Sequence, residues 1–482
     1  MRIPHIINKD TLAAYVPSPE SLALKGENDR IIKSEDFTEW DKDIVPKLNE
    51  LCVSALNKTF EKKPILDSLM CDDRNYLLEI LSVNLPLEFA IQKIDNEGYW
   101  EKRYLAKFGV CTRLKPRKWT WKSLYMERHV QFMIENAEPQ HNDEEFMDEM
   151  LGFCNPYVTK IKVTQLLPWI PPIGMEEDDI PEVLPKNHIN LMFIFKKLSN
   201  LEEFDIIYGK NNVGEDFSWR LLDVSVLDCR NLGKAVEAHK FIKILRLHRS
   251  FIDDEHAQAL ARGLVKNNTL EELDLSNCRI KDDGALCIAK VLLLHSKLKK
   301  LNLCNNLIKK KGMLGIGYAL IRSTSAPLRK LNLRLNPLMH EGCLAIFRAM
   351  MRSNRPANLN LAACGFEEET GARLAQVIEM NKCLVNLDVS CNWIGEDNGQ
   401  KVMEGLMRNR TINWLNMRET SILPDHQATI KRLLIRNRTG DEGFSDSEVE
   451  INEEESSEEE DEGAEDTDSH VDSEAQSTVK FK

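Results

Sequence analysis

One spacing recurs along this chain and limits what it can fold into: L-x-x-L-x-L-x-x-N/C-x-L. The clearest copy is Leu270, Leu273, Leu275, Cys278 and Ile280. It returns as Leu298, Leu301, Leu303, Asn306, Ile308, then as Leu328, Leu331, Leu333, Asn336, Leu338, and again as Leu384, Leu387, Val389, Asn392, Ile394. Weaker copies begin at Ile242, Pro356 and Ile412, which makes the start-to-start spacings 28, 28, 30, 28, 28 and 28 residues. A fixed period of this length is the mark of a solenoid of stacked units.

The spacing has a mechanical meaning. L-x-L is a period-2 strand whose leucines point one way, into a core. The Asn or Cys three residues later turns a polar side chain onto neighbouring backbone groups as the chain bends away. A helical stretch follows: Ala285, Ile288, Ala289 and Leu292 fall at i, i+3, i+4 and i+7, an inward-facing stripe. The same offsets hold Ala257, Leu260, Ala261, Leu264 and, later, Gly371, Leu374, Ala375, Ile378. Each unit is therefore strand plus full helix, the long ribonuclease-inhibitor-like type of leucine-rich repeat. One unit cannot bury its own apolar face, so the stack is one cooperative array.

The array is expected to start earlier than its best copies. Val158, Ile161, Val163 and Leu166 fit the strand template, as do Leu201, Phe204 and Ile206, with starts 43 and 41 residues before the next one. Helical stretches from His188 to Leu198 and from Cys229 to His239 fill the gaps, and the Pro-rich acidic segment LPWIPPIGMEEDDIPEVLP is read as a loop insertion. At the far end, Asp425 to Arg438 reads as a closing helix with Ile430, Leu433 and Leu434 inward. The expected fold class is α/β: a leucine-rich-repeat horseshoe of about nine strand–helix units over residues 155–440.

The regions outside the array differ from it. Residues 1–36 are polar and unpatterned and are expected to form an extended arm. Residues 37–154 are expected to form a small helical domain, with Trp40, Ile44, Leu48, Leu51 and Ala55 as one apolar stripe and similar stretches at Tyr76 to Leu85 and Ser123 to Ile134. The tail, residues 441–482, holds 18 acidic residues against Lys480 and Lys482 and so carries −16, leaving +3 for the rest of a chain whose total is −13. Rich in Asp, Glu and Ser with no apolar period, that tail is expected to be disordered. The opening MRIPHIINKDTLAAYV lacks a basic start followed by an apolar run, so no signal peptide is expected. The twelve cysteines form no C-x-x-C pair and read as reduced thiols, several of them buried.

Chemistry-bearing candidates are few. Outward side chains of the strands form one column of Arg246, Asp274, Asn302, Asn332, Asn360, Asp388 and Asn416, and a second running His248, Ser276, Cys304, Arg334, Ala362, Ser390 and Arg418. This polar ladder suits an extended protein partner, and Arg334, Trp414 and Arg418 are its best contact candidates because Trp and Arg dominate interface energetics. Repeat architecture accounts for the Asn and Asp column equally well, through bonds from rung to rung. A basic run of Lys102, Arg103, Lys107, Arg113, Lys115, Arg117, Lys118 and Lys122 interleaves with Tyr104, Phe108, Trp119 and Trp121. It suits an acidic protein surface such as tubulin, or RNA, or the solvated side of a helical domain. Ser445, Ser447, Ser456 and Ser457 each precede an acidic residue by three positions, the context of an acidophilic kinase site. His248 and His256 near Asp253, Asp254 and Glu255 read as a solvated turn. The glycines Gly312, Gly315 and Gly317 read as helix packing. No phosphate-loop, zincin or nucleophile-elbow motif occurs. No active site, cofactor or metal is expected, and neither small-molecule substrate, nucleic acid nor membrane is expected as a partner.

Several segments resemble a known family. EDFTEWDKDIVPKLNELC, FEKKPIL, LPLEFAIQKIDNEGYWEKR, WKSLYMERH, YVTKIKVTQLLP, LEEFDIIYG and LEELDLSNCRIKDDGA together make residues 35 to 440 similar to the dynein regulatory complex subunit 5 family, also called T-complex-associated testis-expressed protein 1. The resemblance implies a non-catalytic subunit of the nexin–dynein regulatory complex in the axoneme of motile cilia and flagella. There it would link doublet microtubules, contact other subunits and help to regulate dynein. Leucine-rich repeats before an acidic tail also resemble the GTPase-activating protein of Ran, but about 150 residues precede the first strand here. An inhibitor wrapping a basic enzyme is a third reading, for which the repeat domain is not acidic enough.

Overall fold

The structure is a computed structural model that describes residues 48–110, 120–139, 144–170, 187–211, 219–323 and 328–440. The chain divides into two compact units, Met1–Arg113 and Leu114–Lys482.

In the first unit, helices α1 (Leu48–Thr59), α2 (Cys71–Ile80), α3 (Leu87–Lys93) and α4 (Glu97–Phe108) pack around Phe60, Leu77, Leu81, Ile94, Tyr99 and Trp100. Polar tips of the aromatics are satisfied locally: Trp100 Nε1 donates to the Ile94 carbonyl at 3.0 Å and the Tyr99 hydroxyl to Ser82 at 3.1 Å. The apolar stripe expected along α1 is corrected here. Leu48, Leu51 and Ala55 are exposed, and α1 turns Val53 inward with Phe60 just beyond its end, while Trp40 and Ile44 lie outside the described residues.

The second unit is the solenoid. Its nine strands are β1 (Lys160–Val163), β2 (Glu203–Ile206), β3 (Ile244–Leu247), β4 (Glu272–Asp274), β5 (Lys300–Asn302), β6 (Lys330–Asn332), β7 (Asn358–Asn360), β8 (Asn386–Asp388) and β9 (Trp414–Asn416). They form one parallel sheet in chain order, and the register sets Leu273 beside Leu301, Leu301 beside Leu331, and so on. Helices α5 (Trp121–Glu135) and α6 (Glu144–Cys154) precede it. Between strands run α7 (Leu191–Lys197), α8 (Val226–Ala238), α9 (Asp254–Leu264), α10 (Asp282–Leu294), α11 (Lys310–Arg322), α12 (Met339–Met350), α13 (Glu368–Met380) and α14 (Glu396–Arg408), and α15 (Pro424–Thr439) closes the stack. Strands stack at about 4.8 Å and helices at about 8–10 Å, so the sheet lines the inner side of the bend.

Three devices tie each repeat to the next. At the ninth position of the motif, the Asn336 amide donates to the carbonyls of Leu303 in the preceding repeat and Leu333 in its own, at 2.8 and 2.9 Å, while its oxygen accepts from the Ile308 N–H. Asn306 and Asn392 do the same, and the Cys278 and Cys364 thiols point at the corresponding carbonyls. One position earlier, Arg249, Asn277, Asn305, Leu335, Ala363, Cys391 and Glu419 all take left-handed backbone with φ between 51 and 57°, which turns the chain out of the strand. In α10 and α11 the N-terminus is capped from the repeat before: Asp254 accepts from Lys281 and Gly284 N–H, and Asp282 from Lys309 and Gly312 N–H, at 2.8–2.9 Å.

Helices α8 and α9 approach closely through paired glycines. A Cβ on Gly263 would stand 2.1 Å from the Gly233 carbonyl oxygen.

The ends are covered differently. At the start, Glu127 of α5 accepts from the Thr159 and Lys160 N–H at 3.2 and 3.0 Å, and Glu135 from Thr164 N–H at 2.7 Å. Two carboxylates eight residues apart on one helix thus meet both ends of β1, whose outer edge would otherwise lack partners. Helices α5 and α6 fall in the same compact unit as the repeats, ahead of the boundary that the sequence suggests after residue 154. At the finish, α15 buries Ile430 and Leu434, and Arg436 and Arg438 donate to the carbonyls of Leu406 and Asn413. Most of the acidic insertion before α7 and the whole of residues 1–47 and 441–482 lie outside the described residues.

Candidate partner-binding face

The inner face of the sheet carries three outward side chains per repeat, two on the strand and one just after it, and its two halves differ. Across β1 to β5 the charges close on one another. Lys160 pairs with Glu203 at 2.9 Å, Arg246 bridges Glu203 and Glu272, and Lys300 reaches Glu272 at 3.1 Å. His248 Nε2 lies 2.8 Å from Asp205. Burial raises the Glu203 carboxyl, but the bond from Lys160 and the Arg246 charge outweigh it and hold it below its usual range. Burial likewise opposes the Arg246 charge, yet Glu272 and Glu203 keep it above its ordinary value. Arg246 and His248, expected as partner contacts, are thereby committed to the protein's own carboxylates.

The Asn and Asp column serves the fold. In every repeat from β4 onward the side-chain oxygen of this residue accepts the backbone N–H two positions later: Asp274 from Ser276, Asn302 from Cys304, Asn332 from Arg334, Asn360 from Ala362, Asp388 from Ser390, Asn416 from Arg418, at 2.8–3.3 Å. Two rungs are also joined sideways, Asn302 to Asp274 and Asn360 to Asp388.

What remains open lies toward the C-terminal end. Lys330 and Arg334 have no carboxylate partner among the described residues, and Arg418 reaches only Asn416, at 3.4 Å. The Nδ2 groups of Asn332 and Asn416 likewise have no hydrogen-bond partner among the described residues, and Trp414 is half-buried on β9, the strand that carries Asn416. Lys330, Arg334 and Arg418 make this stretch cationic, and Asn358 and Asn386, outward on β7 and β8 with no side-chain hydrogen bond among the described residues, add both donors and acceptors. The rim adds apolar surface that sequence reasoning missed: Leu307, Leu335 and Trp393 on the loops after β5, β6 and β8, and Met339 at the start of α12, are 43–58% exposed. The available signal is a Trp at the tenth motif position, where other repeats hold Arg279, Leu307, Pro337 and Gly365. Donors beside exposed aromatic and aliphatic groups suit a protein segment rich in carboxylates and free carbonyls.

A leucine-rich-repeat family model matches residues 266–289, the stretch running from the end of α9 into α10. Dynein regulatory complex subunit 5 of mouse is 35% identical over 276 residues, which is 54% of this chain and 54% of the mouse protein. The human protein of that name is 34% identical over 51% of each chain, and the Chlamydomonas reinhardtii one 28% identical over 44% of this chain and 50% of its own. This is a leucine-rich-repeat chain similar to dynein regulatory complex subunit 5. It spans about half the length of these curated relatives.

The other sequence candidates fare unevenly. In the first unit Lys102 caps α2, donating to the carbonyls of Glu79 and Leu81 at 2.6 and 3.2 Å. Lys107 lies over the Phe108 ring. Arg103 is 6% exposed and donates to the Leu85 carbonyl at 2.7 Å, while Lys122, in the second unit, is 5% exposed with its ammonium 4.8 Å from the Tyr157 ring centre. The expected basic surface is corrected at these two positions: both side chains are buried by the packing of their own helices. Arg113, Lys115, Arg117 and Lys118, and the candidate phosphosites Ser445, Ser447, Ser456 and Ser457, lie outside the described residues.

The acidic and histidine cluster at α9 is a helix cap rather than a solvated turn. Asp253 accepts from the Glu255 and His256 N–H groups, and His256 is buried with Nε2 on the Val224 carbonyl of the preceding repeat. Gly312, Gly315 and Gly317 sit in α11 facing Ala285, Leu286 and Ala349. Among the described residues no group of His, Cys, Asp and Glu is placed to hold a metal, and no helix is long and apolar enough to cross a membrane.

Proposed function

We propose that the chain is a non-catalytic scaffold subunit of the nexin–dynein regulatory complex in the axoneme of motile cilia and flagella. It acts by protein–protein contacts: the solenoid holds other subunits of the complex, and through them the doublet microtubules and dynein, so that sliding is restrained and coordinated. The observation that carries the reading is the shared name of the relatives at 34–35% identity, whose matched stretch is about half of this chain. A repeat array with one half of its inner face closed by its own ion pairs, and the other half carrying Lys330, Arg334 and Arg418 without carboxylate partners among the described residues, supports a docking role.

The test is localisation of the tagged full chain in ciliated cells, followed by detergent and salt extraction of the axonemes. The reading expects signal along the axoneme that survives detergent and leaves with the other regulatory-complex subunits at raised salt. Signal confined to the cytosol or nuclear rim would remove the reading and bring forward a Ran-type GTPase regulator.

A further inference from the structure

The outer side of the solenoid carries a second surface, distinct from the inner face. Corresponding positions of successive helices can be compared because the repeats are in register. One outward row reads Gln258, Leu286, Leu314, Leu344, Ala372 and Gln400 along α9 to α14. The row two turns further along each helix reads Val265, Leu293, Ile321, Met351, Glu379 and Met407. Both rows are therefore apolar together, with large side chains, on three adjacent helices, α10 to α12, and polar groups enter them at Gln258 before and Glu379 after. On the middle helix the side chains are open to solvent: Leu314 is 48%, Tyr318 57% and Ile321 40% exposed. Residues at i, i+4 and i+7 form one stripe along a helix. Outer helix faces of a solenoid are normally solvated, as those of α9 and α13 are, so a contiguous apolar patch marks a surface that is covered in use.

The charges around the patch say what covers it. The row between the two apolar rows reads Arg262, Lys290, Tyr318, Arg348, Gln376 and Glu404. Tyr318 thus sits between two exposed cations, Lys290 and Arg348, neither of which has an ion-pair partner among the described residues. Arg322 lies with its guanidinium 5.9 Å from the Tyr318 ring centre. The nearby acids are used up, Asp283 by Lys311 at 2.6 Å and Glu341 by Lys310 at 2.7 Å. Helices α10 and α11 pack closely here, with the Leu286 side chain filling the space beside Gly315, where a Cβ would stand 2.4 Å from it.

We infer that the α10–α12 outer face docks an amphipathic helix of another protein, with apolar residues at i, i+3 or i+4 and i+7 and with Asp or Glu flanking them. The apolar stripe lies against Leu314, Tyr318 and Ile321, and the flanking carboxylates meet Lys290 and Arg348. A chain that is engaged on both its inner and outer sides joins two partners at a fixed separation. The inference stands on the surface alone and does not depend on where in the cell the protein works.

A carbodiimide, which joins an amine to a carboxylate only in direct contact, tests it. The tagged full chain is cross-linked in detergent-permeabilised ciliated cells, and peptides joined to Lys290 are identified by mass spectrometry. The expected product joins Lys290 to Asp or Glu of a different polypeptide whose neighbouring residues have the stated apolar spacing. A Leu314→Glu, Ile321→Glu double variant is expected to lose that product at least tenfold, with Tyr318→Ala as the milder variant should the double one unfold. A link to a second copy of this chain, to its own acidic tail or to a segment without helical apolar spacing would overturn the inference. So would a Lys290 yield no higher than that of Lys382, or one untouched by variants that remain folded. Loss of axonemal signal with the Lys290 product intact would count against the cellular reading and leave the docking surface standing.

Discussion

The side-chain amide of Asn336 donates to the carbonyl of Leu303, one repeat earlier, at 2.8 Å, and both groups are buried. That bond joins the repeats at the bend between strand and helix. Asn336→Ala leaves the Leu303 carbonyl and the Ile308 N–H short of partners, at a cost of about 2–3 kcal/mol. Asn336→Cys is expected to cost less, since Cys278 and Cys364 fill the same position in neighbouring repeats. Urea unfolding of the two variants checks the order. Equal losses would mean that the amide's bonds are not what holds the bend.

Leu335, beside it, takes left-handed backbone at φ 57° although a Cβ disfavours that region. Leu335→Gly should therefore raise stability by about 1 kcal/mol, and Leu335→Asn by less. The gain is partly offset by the greater freedom of glycine in the unfolded chain. A drop in the unfolding midpoint for both variants would contradict the account and point instead to packing by the Leu335 side chain.

Legibility followed periodicity. The copies from Leu270, Leu298, Leu328 and Leu384 repeat both the strand leucines and the turn residue, so β4, β5, β6 and β8 could be placed from spacing alone, and the two degenerate starts at Val158 and Leu201 also became strands. Periodicity does not report which carboxylate meets which backbone end. The capping of β1 by Glu127 and Glu135 was therefore invisible, and α5 and α6 were assigned to the preceding domain. In α1 the alternation of Leu48, Leu51 and Ala55 looked like a buried stripe, but a helix packed on only part of its length buries few of its apolar residues. On the inner face, the column Glu203, Glu272, Lys300 and Lys330 has no constant residue type, and only the register reveals that opposite charges stand on adjacent strands.

His295 occupies the helix-end position that Asn267, Asn381 and Asn409 fill in other repeats, where the amide donates to a carbonyl of the preceding repeat. His295 accepts the Lys297 N–H at 3.2 Å, but its buried Nε2 has no partner among the described residues. Burial, with Lys297 adding to it, lowers its pKa below 6.5. The folded state thus holds the ring neutral while the unfolded chain takes up a proton, so stability falls as pH drops through about 6.5. His295→Asn should stabilise the protein and widen its advantage over wild type on going from pH 8 to pH 5.5. Unfolding midpoints at the two pH values measure this, and a constant gap would refute it.

Burial pushes the Cys278 and Cys364 thiols up to about 12, whereas Cys52, Cys71 and Cys391 are exposed. Iodoacetamide near neutral pH should modify the three exposed cysteines quickly and the two buried ones only on unfolding. Peptide mass spectrometry reads the extents directly. Comparable labelling of Cys278 and Cys391 in the folded protein would mean that the bend opens readily.

The open half of the inner face is the centre of the account, and a charge reversal there tests it most directly. The measurement is the axonemal fraction of tagged full-length protein, compared among wild type, an Arg334→Glu, Arg418→Glu double variant and an Arg262→Glu control on the outer side. All three must unfold at similar temperatures, because the altered side chains are exposed. The account predicts about a tenfold lower axonemal fraction for the double variant and no change for the control, as expected when two arginine anchors are lost from an interface. Normal incorporation of a stably folded double variant would contradict it.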